Sequence, residues 1–287
     1  VTEGKRRRRW PVAVGVGLVL ALIGYLVVRY IQPPTEQCTT HGADGTTVTL
    51  DNSQAANAAT IAAVAHSRGL PERAVTIALA TAIQESKLRD IDYGDRDSLG
   101  LFQQRPSQGW GTPAEVLDPV HASGKFYDAL VNVPDYLSLP VTAAAQKVQH
   151  SGYPQAYARH AGTAATLAAA LSGREGAAIT CTVTGVHAQP SAHPGDTVVT
   201  DAVQREFGPG LLPSPSPTDI AYPVTDTQTG WAVALWMVCH AATLHIASVA
   251  FGGREWSSDS SDQGWVDRAS RPGGAASVVI AAAPAAD

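Results

Sequence analysis

Glu85 is the side chain best placed by its sequence context to do chemistry. It closes the run ERAVTIALATAIQES at residues 72–86, which is apolar nearly all round, and the residues one turn back, Ala78, Thr81 and Ala82, are small. A helical glutamate is ordinarily solvated and ionised. Here desolvation by the apolar helix, the partial negative charge of a helix C-terminus and the nearby Asp90, Asp92, Asp95 and Asp97 all disfavour the carboxylate. A carboxylic acid that keeps its proton near neutrality can deliver it to the leaving oxygen of a glycosidic bond as that bond breaks.

Other reactive residue types form weaker patterns. Asp90 to Asp97 read first as turn formers; the alternation D-I-D-Y-G-D-R-D also raises a calcium loop, but its spacing is incomplete and no glutamate closes it. The nine histidines show no zinc spacing: Cys38-x-x-His41 is half a motif, and His240 and His245 stand off one helical face. No metal site and no cofactor is expected. Trp110, in a Gly-rich loop, offers an indole face either to a sugar or to the core. Trp256 and Trp265, among Ser, Asp and Gly, read as partly exposed candidates for glycan or partner contact. Cys38 and Cys181 flank the central region; a bridge between them would close a loop of roughly 140 residues, worth about 4 to 5 kcal/mol in the chain-entropy model, and would suit an oxidising location. Cys239, beside Trp236, Met237 and Val238, reads as a buried structural thiol.

The elements that must hold Glu85 follow from composition and periodicity. A chain of 287 residues, 45% hydrophobic and 16% charged, folds into one large or two modest domains. Its formal charge of -5 hides a basic run, Lys5 to Arg9, so the remainder is distinctly acidic and would repel nucleic acid. Residues 1–10 are expected to be a basic cytoplasmic tail. The apolar run at 11–31 is expected to be a transmembrane anchor, because as a helix it reaches about 30 Å, a hydrocarbon thickness, and follows positive charge. That predicts a single-pass plasma-membrane protein with its bulk outside the cytoplasm and the membrane as a partner through residues 11–31. Residues 32–52 read as a stalk with a short strand near Thr46 to Leu50. Residues 53–172 read as a mainly helical domain, with Ala56, Ile61, Val64 and Ala65 on one side of its first helix and a short hairpin in the middle. A linker at 173–195 leads to a small α/β module of unknown role at 196–287, a candidate surface for cell-wall protein partners.

The pair Glu85–Ser86, a short Asp/Gly loop and S-x-GLFQ from Ser98 to Gln103 resemble the first two motifs of the soluble-lytic-transglycosylase group of the lysozyme superfamily. The extension GLFQQRPSQGWGTPAEVLDPVHASGKFY is similar to membrane-anchored lysozyme-like proteins of actinobacterial type. The resemblance covers roughly residues 53–172. It implies a mainly α lysozyme-like domain with a small β-hairpin, here after one transmembrane helix and before a small C-terminal α/β module. It implies that Glu85 is the general acid and then the base and that Ser86 orients a reacting or neighbouring group. Gly100, Leu101, Phe102 and Gln103 would form a hairpin edge lining a glycan groove, with Gln103 bonding sugar groups. The family's third motif places a tyrosine after an alanine, which Ala156 and Tyr157 supply, although Ala158 stands where an asparagine is usual.

Mechanism turns on a second carboxylate. A hydrolase flanks the bond with two, whereas a lytic transglycosylase of this kind can use one and let the sugar's own groups complete the reaction. Asp97, just before Ser98, is the candidate assisting carboxylate. The sequence thus points to a peptidoglycan-cleaving glycosidase, lytic transglycosylase ahead of muramidase, with peptidoglycan glycan strands as substrate. A non-catalytic wall-binding or scaffold protein is the alternative.

Overall fold

The computed structural model describes residues 14–15, 18–25, 35–150, 155–186, 197–214, 220–268 and 277–282. The chain divides into two units, Val1–Pro34 and Thr35–Asp287. In the first, the expected basic tail and most of the expected anchor lie outside the described residues. Of the expected anchor, residues 14–15 and 18–25 are described, and they are helical and exposed. No helix among the described residues is long and apolar enough to cross a membrane. That finding overturns the transmembrane helix, the membrane as a partner through residues 11–31 and the single-pass plasma-membrane location expected above.

In the second unit, the segment read as a stalk is largely strand. β1 (Gln37–His41) and β2 (Thr47–Leu50) form an antiparallel hairpin, and β3 (Ile179–Thr182) pairs on the other side of β1. Alternate residues Cys38 and Thr40 of β1 are buried, as a half-covered strand requires. Cys38 faces Cys181 in register, and the two are joined by a disulfide across a sequence separation of 143.

Asp51 then starts α1 (Asn52–Ser67) with a capping box: its carboxylate accepts the Gln54 N–H at 2.9 Å while Gln54 Oε1 accepts the Asp51 N–H at 3.0 Å. α2 (Glu72–Ser86) follows a short turn and is buried continuously from Ala74 to Ala82. A helix with no polar face belongs in the middle of a domain. Accordingly α2 is packed by α1, α4 (Pro119–Leu130), α5 (Val141–Gln149) and α6 (Ala161–Leu171), with the short α3 (Pro113–Val116) bracing α4.

The C-terminal region contains α7 (Thr197–Phe207), β4 (Ile220–Pro223), α8 (Thr227–Cys239), α9 (Ala241–Leu244), β5 (Ile246–Phe251), β6 (Arg254–Ser257), β7 (Val266–Asp267) and β8 (Ser277–Ala282). Its sheet is antiparallel, in the order β4-β8-β5-β6-β7. This region and the helical one share a core. α7 and α8 pack on α1, and α8 also contacts β3 and α6. α1 is therefore buried on two sides: Ala55 and everything from Ala58 to Ala65 are inside, well beyond the single apolar face expected from its sequence.

Buried polar groups are paired at this junction and beside it. Trp236 Nε1 donates to Glu206 Oε2 at 2.6 Å, and His240, stacked on Trp236, places Nε2 3.4 Å from Thr60 Oγ1 of α1. Trp256 and Trp265, expected to be partly exposed, are instead buried, and their indole N–H groups donate to the carbonyls of Cys181 (3.0 Å) and Ile179 (2.7 Å). Both tryptophans thus clamp the C-terminal sheet onto β3.

Candidate active site

Glu85 sits in the last turn of α2, where the buried helix meets the surface. The helix stops because Lys87 adopts a left-handed conformation (φ 58°) and Leu88 follows it (φ 60°), with the Leu88 N–H returning to the Ala82 carbonyl at 3.1 Å. Leu88 is thereby turned into the core.

The loop that follows is held against this helix end by Ser86. Its hydroxyl donates to the Leu101 carbonyl at 2.8 Å and accepts the Arg89 N–H at 3.2 Å. Ser86 is therefore a positioning residue that fixes the 100–103 turn beside Glu85. That turn has no flanking strands: one bridge, Leu99 to Gln104, closes it, and the Gly100 N–H donates to the Ile91 carbonyl at 2.7 Å. The small β-hairpin expected here is thus a tight turn. Gly100 is required at it, since its φ is +72° and an added Cβ would stand 2.4 Å from the Val116 carbonyl oxygen.

The side chains of the turn are used differently from the expectation of a groove lining. Leu101 and Phe102 are fully buried, and Phe102 stacks on Phe126 with ring centroids 4.7 Å apart. They anchor the turn, and what it presents towards Glu85 is backbone. Gln103 (φ 49°) folds back over Gly94, and its amide donates towards the carbonyls of Tyr93 and Gly100 at 3.2 and 3.3 Å.

Two further side chains reach Glu85. Tyr157, fully buried, donates its hydroxyl to Glu85 Oε1 at 2.6 Å, the distance of a strong O–H···O bond. Gln149, the last residue of α5, hydrogen-bonds Glu85 and donates Nε2 to the Phe102 carbonyl at 2.7 Å, so one amide ties acid and turn together. Burial raises the pKa of Glu85, and the hydrogen bonds from Tyr157 and then Gln149 oppose it by favouring the ionised form. The aspartates that the sequence placed nearby are not among these causes.

Those aspartates have other work. Asp97 accepts from the Ser107 N–H at 2.8 Å and from Arg105 Nε at 2.7 Å, and hydrogen bonds from Ser107 and then Arg105 hold its carboxyl far below the usual carboxylate range. The expected assisting carboxylate is thus engaged in bracing the following loop. Asp90 is pushed up to about 6, by desolvation and then by the carboxylates of Asp118 and Asp92. The residue as a whole is exposed, so that desolvation is confined to the carboxyl end lying near Gly100. Among the described residues no group of three or more His, Cys, Asp or Glu side chains is arranged to hold a metal ion. Trp110 is half-buried against the core, with its carbonyl 3.2 Å from His121 Nε2.

Residue 84 contributes a feature that sequence reasoning missed. Gln84 Oε1 accepts from Arg159 Nη2 at 2.9 Å and lies 3.1 Å from His160 Nε2, so the segment 157–160 grips two consecutive residues at the end of α2. Burial, then the Arg159 charge, lowers the His160 pKa and keeps the ring neutral near pH 7. Gln149 was equally invisible, because nothing in the spacing of QKVQH distinguishes it from a solvated helix end.

The arrangement can hold one carboxylic acid, release its proton towards a bound group and meet the resulting anion with two fixed donors. No family model matches the chain, and no curated protein matches it either.

Proposed function

We propose that this protein cleaves the glycosidic bonds of peptidoglycan strands with Glu85 as general acid and then base, in the manner of a lytic transglycosylase of the lysozyme-like superfamily. The observation that carries this reading is the environment of Glu85: a glutamate at the end of a buried helix, its pKa raised by burial, held at 2.6 Å by Tyr157 and packed beside the 100–103 turn.

Protonated Glu85 gives its proton to the leaving glycosidic oxygen as the bond to the anomeric carbon breaks. The carboxylate so formed takes fuller hydrogen bonds from Tyr157 and Gln149, which therefore stabilise the transition state more than the ground state. The same carboxylate then accepts a proton from a hydroxyl of the sugar itself, whose oxygen closes on the anomeric carbon to give an anhydro end. Glu85 returns to its acid form, and no water is consumed. Transglycosylase is favoured over muramidase because Asp97 is engaged by Arg105 and Ser107, and no second carboxylate contributes to the shift of Glu85.

The test is incubation of the full chain with purified peptidoglycan, followed by mass analysis of soluble products. Anhydro-ended fragments are expected. Reducing ends would make it a muramidase. A protein that sediments with the wall yet releases nothing would be a wall-binding module and would end the enzymatic reading.

A further inference from the structure

A second cleft lies between α1, α4 and α7, and none of its lining residues is among those that reach Glu85. It has a volume of about 280 Å³ and is walled by three helices. α1 and its cap supply Ser67 and Arg68, α4 supplies His121, Gly124, Lys125 and Asp128, and α7 supplies Arg205. The α4 residues recur at intervals of three and four, so one face of that helix forms the floor. Gly124 leaves that floor bare, since a Cβ there would only begin to touch Arg68 Nη2, at 3.6 Å.

Ion pairs fix two guanidinium groups on different walls. Arg68 Nη1 bonds Asp128 Oδ1 at 2.8 Å, and Arg205 pairs with Asp118 at the start of α4. Each guanidinium has five N–H donors, and one carboxylate leaves several unused. Lys125 makes no ion pair among the described residues, and with His121 it exerts a minor electrostatic pull on Glu115. His121 Nε2 is held by the Trp110 carbonyl at 3.2 Å.

The geometry points to a binding site for a phosphate group in this cleft, carried by Lys125 with forked support from Arg68 and Arg205. Cations on three separate helices match the three free oxygens of a tetrahedral phosphate. A planar carboxylate could satisfy only two of them. At 280 Å³ the cleft is at the small end of ligand sites, which suits a single headgroup. The same chemistry is offered by free inorganic phosphate and by a phosphodiester polymer.

The experiment is calorimetric titration of the full chain with inorganic phosphate and, separately, with a glycerol-phosphate polymer. The Lys125→Ala and Lys125→Arg variants are run beside it, because they leave both named ion pairs intact. Binding by the wild type is expected, weakened at least tenfold by Lys125→Ala, restored by Lys125→Arg and falling with added salt. Polymer binding that is tighter per phosphate than the free ion would assign the polymer as ligand; equal binding would assign the free ion. Absence of binding to both probes at millimolar concentration, or equal binding by Lys125→Ala, would overturn the proposal. Binding of a neutral chitin-type oligosaccharide by Lys125→Ala, measured in parallel, reads the Glu85 site separately and should match the wild type.

Discussion

Replacing Tyr157 by Phe removes one oxygen from a buried position and one hydrogen bond from Glu85. The bond is short, 2.6 Å, and its acceptor becomes a full anion only when the proton leaves. A hydrogen bond to a charged group contributes about 1.5–3 kcal/mol. If most of that is gained as Glu85 ionises, Tyr157→Phe should slow turnover at the optimum by about 10- to 100-fold, at about 1.4 kcal/mol per decade. The pH profile carries the sharper signature. Glu85 must be protonated to act as an acid, so activity falls as pH rises through its folded pKa, which burial raises and Tyr157 pulls back. Without the hydroxyl the opposing influence is gone, and the alkaline limb should move to higher pH while the maximum rate drops. The assay is the initial rate of soluble fragment release across the pH range, with thermal unfolding as a control on folding. An alkaline limb that stays in place or moves downward would refute the reasoning, because a purely structural loss lowers the rate without displacing the limb.

Three further outcomes are expected. Glu85→Gln should cut fragment release by about 10²–10⁴-fold. It should also gain stability as pH rises: a raised carboxyl pKa gives stability that is whole below the ordinary glutamate range and is lost through the folded pKa, a loss a neutral amide escapes. Thermal melts from acid to neutral pH should show a difference that grows in favour of the variant. Cys181→Ser should cost about 5 kcal/mol of unfolding free energy for a closed loop of this length, read by urea titration under conditions that leave Cys239 untouched. Gly100→Ala should cost about 1–3 kcal/mol and impair activity more than a surface change of equal cost, since its Cβ would push the turn off Val116.

The helices around Glu85 were legible because α2 carries no polar face and its neighbours carry clear start signals, such as Thr112 before α3 and Pro119 at the head of α4. The joint pattern of Glu85–Ser86 and Ser98–Gln103 located the turn that lies against the helix end. What each residue does there was not legible. Leu101 and Phe102 are core anchors, and a hydrophobic pair in a turn looks the same in sequence whether it faces a groove or an interior. The bracing role of Asp97 was not legible because its partners, Arg105 and the Ser107 N–H, are reached only once the loop has turned. Composition misled at Trp256 and Trp265: Ser, Asp and Gly around them signal irregular backbone, which these indoles bury by bonding to β3 carbonyls. α1 was read as one-sided because its second buried face meets α7 and α8, more than a hundred residues later in the chain.

The three cysteines bear on how the chain finds this fold. Cys239 lines the same small internal cavity as Cys38, so the native bridge forms within reach of a competitor. β1 can pair early with β2, its neighbour in sequence, but must wait for β3 to be made before Cys38 meets Cys181. Until then oxidation could as well join Cys38 to Cys239. Packing of α8 resolves the choice by kinetics: burial pushes the Cys239 thiol up to about 12, which leaves almost no thiolate to attack the finished bridge. Oxidative refolding should therefore yield mispaired chains when oxidant precedes collapse and a single product when it follows.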